Sequence, residues 1–137
     1  AGEGDDRTRL EQKAKDLGLS GRAIFMGLVN EAEKADIYRL ANVFLMPGRG
    51  EGFGFVFLEA LACGIPVIGS KVDGSREALL EGKLGCLVDP DQPQELIQAI
   101  KMQLQVEHVV PEALTCFSFA AFVKRVKLAV QKILLTQ

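Results

Sequence analysis

The sequence predicts an α/β fold built on a parallel sheet. Short apolar runs that suit β-strands alternate with longer helical segments along most of the chain. The clearest case is the stretch 43–70, where an apolar run, a glycine-rich loop, a helical segment and a second apolar run follow one another. Two strands joined through one helix form a βαβ unit, and the strands of such a unit are parallel.

Glycine and proline mark the boundaries of this βαβ unit. Residues 43–46 are predicted to form the first strand, and the loop 47–54 follows because glycine and proline recur through it. Residues 55–63 contain neither glycine nor proline and are rich in leucine and alanine, which predicts a helix. The segment 64–66, Gly-Ile-Pro, ends that helix, and residues 67–69 begin the second strand.

The predicted helix carries one ionisable residue, Glu59. Its other side chains are apolar, so no polar face appears and we expect the helix to be buried on all sides. A buried carboxylate loses its hydration and needs a partner, or it takes up a proton. No Lys or Arg lies within one turn of Glu59, so the partner comes from elsewhere in the fold or from a ligand with hydroxyl donors. The alternative interpretation places Glu59 at the edge of the helix, in water.

The start of the same helix is predicted to bind an anion. The backbone N–H groups of Gly54, Phe55 and Val56 have no acceptor within a helix that begins there, and the helix dipole favours negative charge. Glycines in the approaching loop let a bulky phosphate come close to the backbone. A diphosphate at this position would have Glu51 on one side and Glu59 on the other, which fits a nucleotide sugar. Glu59 would then bind a ribose diol and Glu51 the sugar hydroxyls, although the residues alone do not choose between anionic ligands.

The stretch 47–68 closely resembles the carboxy-terminal half of glycosyltransferases of the GT-B fold, in the group known as family 4. That family's pattern is P-S-x-x-E-G-F-G-x-x-x-L-E-A-M-A-x-G-x-P-V-V, with two glutamates separated by seven residues. This chain keeps Glu51 and Glu59 and departs at Gly48 and Leu61, where serine and methionine are common. The resemblance implies a Rossmann-like α/β domain, a parallel sheet with helices on both faces. Residues 1–137 would be part of the carboxy-terminal, donor-binding domain.

The remaining segments resemble the family's elements in the same order. In chain order we predict a helix over 10–19, a strand over 22–27, a helix over 31–40, a turn over 73–77 that leads into a helix, the last strand over 85–88, a helix over 93–104 and a closing helix over 122–135.

The resemblance also implies the function and the residues of the site. It implies transfer of a hexose from an NDP-sugar to the hydroxyl of a carbohydrate or lipid-linked acceptor, with retention of anomeric configuration and without a metal ion or cofactor. The base of the donor, uridine, guanosine or adenosine, stays open. Glu51 is expected to be catalytic, and the donor is expected to contact Glu51, Gly52, Phe53, Gly54, Phe55, Val56, Glu59, Met26 and Gly27. Met26 and Gly27 enter because the family's nucleotide base lies against the backbone that follows the strand over 22–27.

Composition excludes several other classes of function. The net charge is −2 and Lys and Arg are scattered, so no nucleic-acid partner is expected. No apolar run approaches the roughly 20 residues of a membrane-spanning helix. The three cysteines, Cys63, Cys86 and Cys116, have apolar neighbours and are predicted to be reduced thiols of a cytosolic protein. We expect a cytoplasmic localisation. The alternative is a peripheral attachment at the inner membrane face, made through a further domain of the protein.

Three polar residues or motifs outside the glutamate pair are assigned structural roles. Asp89-Pro90-Asp91 has the letters of a D-x-D metal motif, but it precedes a helix that carries Pro93. We therefore predict that Asp91 caps this helix. His108 is predicted to be structural or exposed, and Arg49 to be solvated.

The family's phosphate-binding Arg and Lys, the first two strands of this domain and the amino-terminal domain are expected to lie outside this sequence. Without those strands two sheet edges and an apolar face are exposed, so we expect the isolated segment to be marginally stable and inactive. Two alternatives to the transferase stay open. One is a non-catalytic nucleotide-sugar-binding module, and the other is a nucleotide-sugar epimerase of the same fold.

Overall fold

The computed structural model describes residues 1–135 and divides the chain into two compact units, Ala1–Asp36 and Ile37–Gln137. The first unit contains helix α1, Arg7–Asp16, and an isolated β-bridge between Ser20 and Ala23. Helix α2, Lys34–Arg39, begins in the first unit and ends in the second.

The second unit is built on a three-stranded parallel sheet. Its strands are β1, Phe44–Leu45, β2, Val67–Ser70, and β3, Cys86–Val88, in the order β1-β2-β3. Phe44 pairs with Val67 in one ladder and Ile68 with Cys86 in the other. The remaining helical elements are α3, Phe55–Ala62, α4, Ser75–Ala78, α5, Pro93–Gln103, a 3₁₀ helix, Glu112–Phe117, and α6, Phe119–Leu135. The predicted βαβ unit is confirmed, because α3 connects the parallel strands β1 and β2.

Helices cover both faces of this sheet, as predicted. All four residues of β2 are buried, so β2 is the central strand in burial as well as in order. Val67 belongs to the core cluster that contains Phe57 of α3 and Ala78 of α4, whereas Ile68 packs with Ala99 of α5. Successive strand residues point to opposite faces, which explains why neighbours in β2 enter different clusters. Full burial of a side chain such as Phe57 or Val67 contributes about 1.5–3 kcal/mol.

The strand predicted over residues 22–27 is wrong. Within the described part of the chain this segment has the isolated Ser20–Ala23 bridge, turn bonds from Arg22 N and Ala23 N to Leu19 O, and a backbone bond of 2.7 Å from Gly2 N to Gly27 O, but no ladder. Ile24 is 79 % exposed. A strand forms through the hydrogen bonds of a ladder, and this segment has no strand partner among residues 1–135, so an apolar sequence alone does not make it a strand.

Two helices of the amino-terminal region differ from their predicted bounds. α1 begins at Arg7, earlier than the apolar periodicity suggested, because its first turn is polar and is supported by ion pairs of Arg7 with Glu3 and Glu11. It ends before Gly18, whose φ of +68° is left-handed. α2 is shorter than the predicted helix over 31–40. Among the described residues, no helix has both the length and the apolar character needed to cross a membrane.

Candidate functional site

The start of α3 is shaped by Gly54, the residue before the helix. Its backbone is left-handed, with φ 90° and ψ 63°. A Cβ atom there would lie 2.5 Å from Cδ2 of Phe57, so both the backbone and the available space require glycine. Gly54 O accepts the first helical bond from Phe57 N at 3.0 Å.

The amides of this helix start point to an anion site. Among residues 1–135, the N–H groups of Gly54, Phe55 and Val56 donate to no protein acceptor. These are the amides that the sequence predicted to be available. They lie at the N-terminus of an eight-residue helix, and the helix dipole places partial positive charge there.

Glu51 lies in the loop before this helix start and is half-buried. Its Oε1 accepts a hydrogen bond from Phe53 N at 3.2 Å, which folds the carboxylate back toward the loop. Its backbone is held on both sides, since Glu51 N donates to Asp73 Oδ2 at 3.3 Å and Glu51 O accepts from Gly74 N at 2.9 Å. In the described part of the chain Glu51 forms no ion pair. Its negative charge is therefore not neutralised by a neighbouring cation.

Glu59 lies one turn into α3, about 6 Å along the helix axis from Phe55. It is half-buried, and the hydroxyl of Tyr38 donates to its Oε2 at 2.9 Å. Of the alternatives left open by the sequence, the structure thus supports a partner from elsewhere in the fold.

The prediction that α3 is buried on all sides is wrong. Phe57, Ala60 and Leu61 are buried, but Phe55 is 71 % exposed. One face of this short helix packs on the sheet, whereas Phe55 in its first turn is largely exposed.

The two phenylalanines of the predicted site enter an aromatic cleft. The rings of Phe53 and Phe55 lie 5.2 Å apart, and Phe53 also meets Phe117 edge-on at 5.8 Å. The cleft has a volume of about 490 Å³ and is lined by Phe53, Phe55, Leu58, Phe117, Phe119, Phe122 and Arg125.

Asp73 is a site residue that the sequence analysis did not single out. Its Oδ1 accepts from Ser75 N at 3.0 Å and from the Ser75 hydroxyl at 2.6 Å, while its Oδ2 accepts from Glu51 N. Burial is the largest single influence on the pKa of Asp73 and raises it. The bonds from Ser75 and from Glu51 N together outweigh burial and hold this pKa below its ordinary value. The signal that could have found it is an Asp two residues before a Ser at a helix start.

A second cleft, of about 440 Å³, lies beside the Glu51 loop. Its cations are paired, Lys71 with Glu95 and Arg76 with Glu81. The lining residues are Gly52, Lys71, Val72, Asp73, Gly74, Arg76, Glu77 and Glu81.

The prediction that Asp91 caps α5 is wrong. Gln92 precedes α5 and makes no side-chain cap, so Asp91 is not the cap. Asp91 N donates to Asp89 Oδ1 at 2.9 Å, and the Asp91 carboxylate pairs with Arg49 of the glycine loop. The prediction that Arg49 is solvated is confirmed, since its side chain is 55 % exposed even though it pairs with Asp91. Among the described residues no cluster of three His, Cys, Asp or Glu side chains could hold a metal ion.

Met26 and Gly27, the predicted contacts of the nucleotide base, lie in the first unit. Both fall in a loop, since the predicted strand does not form. Met26 is 47 % exposed, and Gly27 is buried with a left-handed φ of 70°. Their part in donor binding stays a prediction.

The cysteines and the histidine agree with their predicted states. Cys63, Cys86 and Cys116 are free and half-buried, and burial, the largest cause, raises the pKa of Cys86. His108 is exposed.

Comparison with known proteins adds the family. Residues 1–112 match the protein family described as glycosyl transferases group 1. A D-inositol 3-phosphate glycosyltransferase of Corynebacterium urealyticum is 40 % identical over 101 residues, which cover 73 % of this chain and 24 % of that protein. A GDP-mannose-dependent alpha-(1-6)-phosphatidylinositol monomannoside mannosyltransferase of Mycolicibacterium smegmatis is 39 % identical over 87 residues, 58 % of this chain and 23 % of that protein. The chain thus spans about a quarter of the length of these curated relatives.

Solved structures are similar over almost the whole chain. Sucrose-phosphate synthase from Thermosynechococcus elongatus superposes with a TM-score of 0.77 at 27 % identity, covering 98 % of this chain and 36 % of that one. Anabaena HepE in complex with UDP superposes with a TM-score of 0.70 at 25 % identity, covering 97 % and 37 %.

Proposed function

The chain belongs to the glycosyl transferases group 1 family, and from this premise we propose that it is the donor-binding part of a longer enzyme. That enzyme transfers a hexose from a nucleoside diphosphate sugar to an acceptor hydroxyl. Its fold is that of the GT-B glycosyltransferases. The observation that carries the proposal is the open helix start of α3, where the amides of Gly54, Phe55 and Val56, which lie between Glu51 and Glu59 in the chain, donate to no acceptor among the described residues.

The helix start suits the diphosphate, which is the leaving group. Negative charge grows on the diphosphate as the bond to the sugar breaks. Amides that already point to this position stabilise that charge in the transition state without reorganising. The left-handed Gly54 and the hydrogen bonds of the Glu51 backbone support this preorganisation, since they order the loop in the absence of ligand.

The two glutamates suit hydroxyl groups on either side of the diphosphate. A carboxylate has about four lone-pair sites, so Glu59 can accept from a ribose diol as well as from Tyr38. Among the described residues Glu51 forms no ion pair, so its carboxylate oxygens are not occupied by a cation. They can accept hydrogen bonds from the hydroxyl groups of the transferred sugar. Both roles are those of binding groups, in contrast to the acid and nucleophile pair of a glycosidase.

We extend the proposal to retention of anomeric configuration without a metal ion, as the family resemblance implies. The acceptor would be a carbohydrate or a lipid-linked hydroxyl compound, and the acceptor site would lie in a part of the enzyme outside this chain. The names of two relatives contain an inositol compound, and one of them is named as GDP-mannose-dependent, which supports testing several donors.

The test is calorimetric titration of the complete enzyme with UDP-, GDP- and ADP-sugars, followed by the variant Glu59→Gln. We expect one donor class to bind and Glu59→Gln to weaken it roughly tenfold, since a charged hydrogen-bond acceptor contributes about 1.5–3 kcal/mol. Glu107→Gln is the matched control, because Glu107 is exposed and outside the clefts. Unchanged donor affinity in Glu59→Gln would remove its ribose role, and binding without turnover would favour the non-catalytic module.

A further inference from the structure

Two loops that are distant in sequence meet at the backbone of Glu51. The first is the glycine loop before α3, and the second is the turn between β2 and α4. Glu51 N donates to Asp73 Oδ2 at 3.3 Å, and Gly74 N donates to Glu51 O at 2.9 Å. The peptide groups on both sides of Glu51 are therefore bound to adjacent residues of one turn.

The contact between these loops leaves no room for a side chain. A Cβ atom on Gly74 would lie 2.1 Å from Gly52 O and 2.8 Å from Glu51 O. Distances under 3 Å force something to move, and here the neighbouring atoms are backbone. The turn thus supports the glycine loop directly through main-chain contact.

Asp73 is itself held rigidly. Both the amide and the hydroxyl of Ser75 donate to its Oδ1, and Ser75 is fully buried at the start of α4. Because Oδ1 is occupied in this way, the orientation of the carboxylate is set and Oδ2 faces the Glu51 amide.

We propose that Asp73 is a positioning residue for Glu51, and the proposal rests on the proposed function, in which Glu51 binds the transferred sugar. Asp73 orders the Glu51 backbone before the donor arrives, so that the Glu51 carboxylate is already in place beside the α3 amides. Binding then requires less ordering of the loop, which favours both affinity and a productive sugar orientation.

The discriminating variant is Asp73→Asn in the complete enzyme. Asparagine has the same shape but only one acceptor oxygen, so it can accept from Ser75 or from Glu51 N but not from both. Its NH₂ group then faces the remaining donor, with which it forms no hydrogen bond. We expect a roughly tenfold loss of kcat/KM for the nucleotide-sugar, as for an unmade buried hydrogen bond. We expect affinity for the free nucleoside diphosphate, which lacks the sugar, to change less than twofold. Asp5→Asn, at an exposed aspartate, is the control and should leave both values unchanged.

A double-mutant cycle with Glu51→Gln separates positioning from a general loss of structure. If Asp73 acts through Glu51, Asp73→Asn should reduce kcat/KM much less in the Glu51→Gln enzyme than in the wild type. Ser75→Ala removes the hydroxyl bond to Asp73 and, among the described residues, no side-chain hydrogen bond to the glycine loop, so it should reduce kcat/KM in the same direction by a smaller factor. This second variant keeps the test decisive if Asp73→Asn does not fold.

Three results would overturn the positioning role while leaving the proposed function intact. They are wild-type kcat/KM in Asp73→Asn, wild-type kcat/KM in Ser75→Ala, or independent effects of Asp73→Asn and Glu51→Gln, whereas a fully active Glu51→Gln enzyme would refute both the positioning role and the sugar-binding role of Glu51. A complete wild-type enzyme that binds none of the nucleotide-sugars would instead refute the proposed function, and the positioning role with it.

Discussion

The hydroxyl of Tyr38 donates a hydrogen bond of 2.9 Å to Glu59 Oε2, across 21 positions of sequence. Tyr38 lies in α2, outside the βαβ unit, and its ring also packs edge-on against Phe44 of β1 at 5.6 Å. The orientation of Glu59 thus depends on a helix that the glycine-rich motif does not contain.

Tyr38→Phe should weaken donor binding in the complete enzyme by a smaller factor than Glu59→Gln. The substitution keeps the ring against Phe44 and removes only the hydroxyl, a loss of about 0.5–1.5 kcal/mol. Titration with the nucleotide-sugar measures this change. Equal donor affinities of the wild type and Tyr38→Phe would show that the tyrosine does not orient Glu59.

Gly74→Ala should destabilise the enzyme and weaken donor binding together. Its Cβ atom would lie 2.1 Å from Gly52 O, so the glycine loop must shift, and overpacking of this kind costs about 1–3 kcal/mol. Gly50→Ala is the matched control in the same loop, since a Cβ there meets nothing within 4 Å. Denaturant midpoints and donor titrations of both variants provide the measurement, and similar behaviour of the two would contradict the close packing.

The stabilising effect of Asp73 should disappear in acid. Hydrogen bonds hold its pKa in the folded protein below the ordinary 3.8, so the unfolded chain takes up this proton first as the pH falls. The contribution of the carboxylate is complete above the unfolded pKa and is lost as the pH falls through the lower, folded pKa. Asp73→Asn should therefore be less stable than the wild type at pH 7, and the difference should shrink below about pH 4. Denaturant unfolding of both proteins from pH 7 to pH 3 tests this, and a constant difference would be the contrary result.

The isolated segment of residues 1–137 should melt without cooperativity and show no transferase activity. No residue of α6 within the described range is buried, and Leu45 of the edge strand β1 is 45 % exposed. Apolar surface that stays in water does not contribute to folding. Calorimetry of the segment alone is the measurement, and a reversible two-state transition would show that this segment folds without further chain.

Much of the fold and the centre of the site followed from local sequence. The alternation of glycine loop, helix and apolar run predicted the βαβ unit, and the position of Gly54 predicted the open amides of α3. These features depend on backbone preferences and on neighbours close in the chain. For the same reason the strand over 22–27 was predicted wrongly, because a strand depends on a partner that local sequence does not reveal.

The sequence by itself therefore determined the proposed site, which consists of the two glutamates and the amides between them in the chain. Only the tertiary structure decided what holds these groups, namely Tyr38 for Glu59 and the Asp73–Gly74 turn for Glu51. Such bonds form where distant segments meet. Their existence depends on the packing of the whole sheet and its helices, which no local propensity encodes.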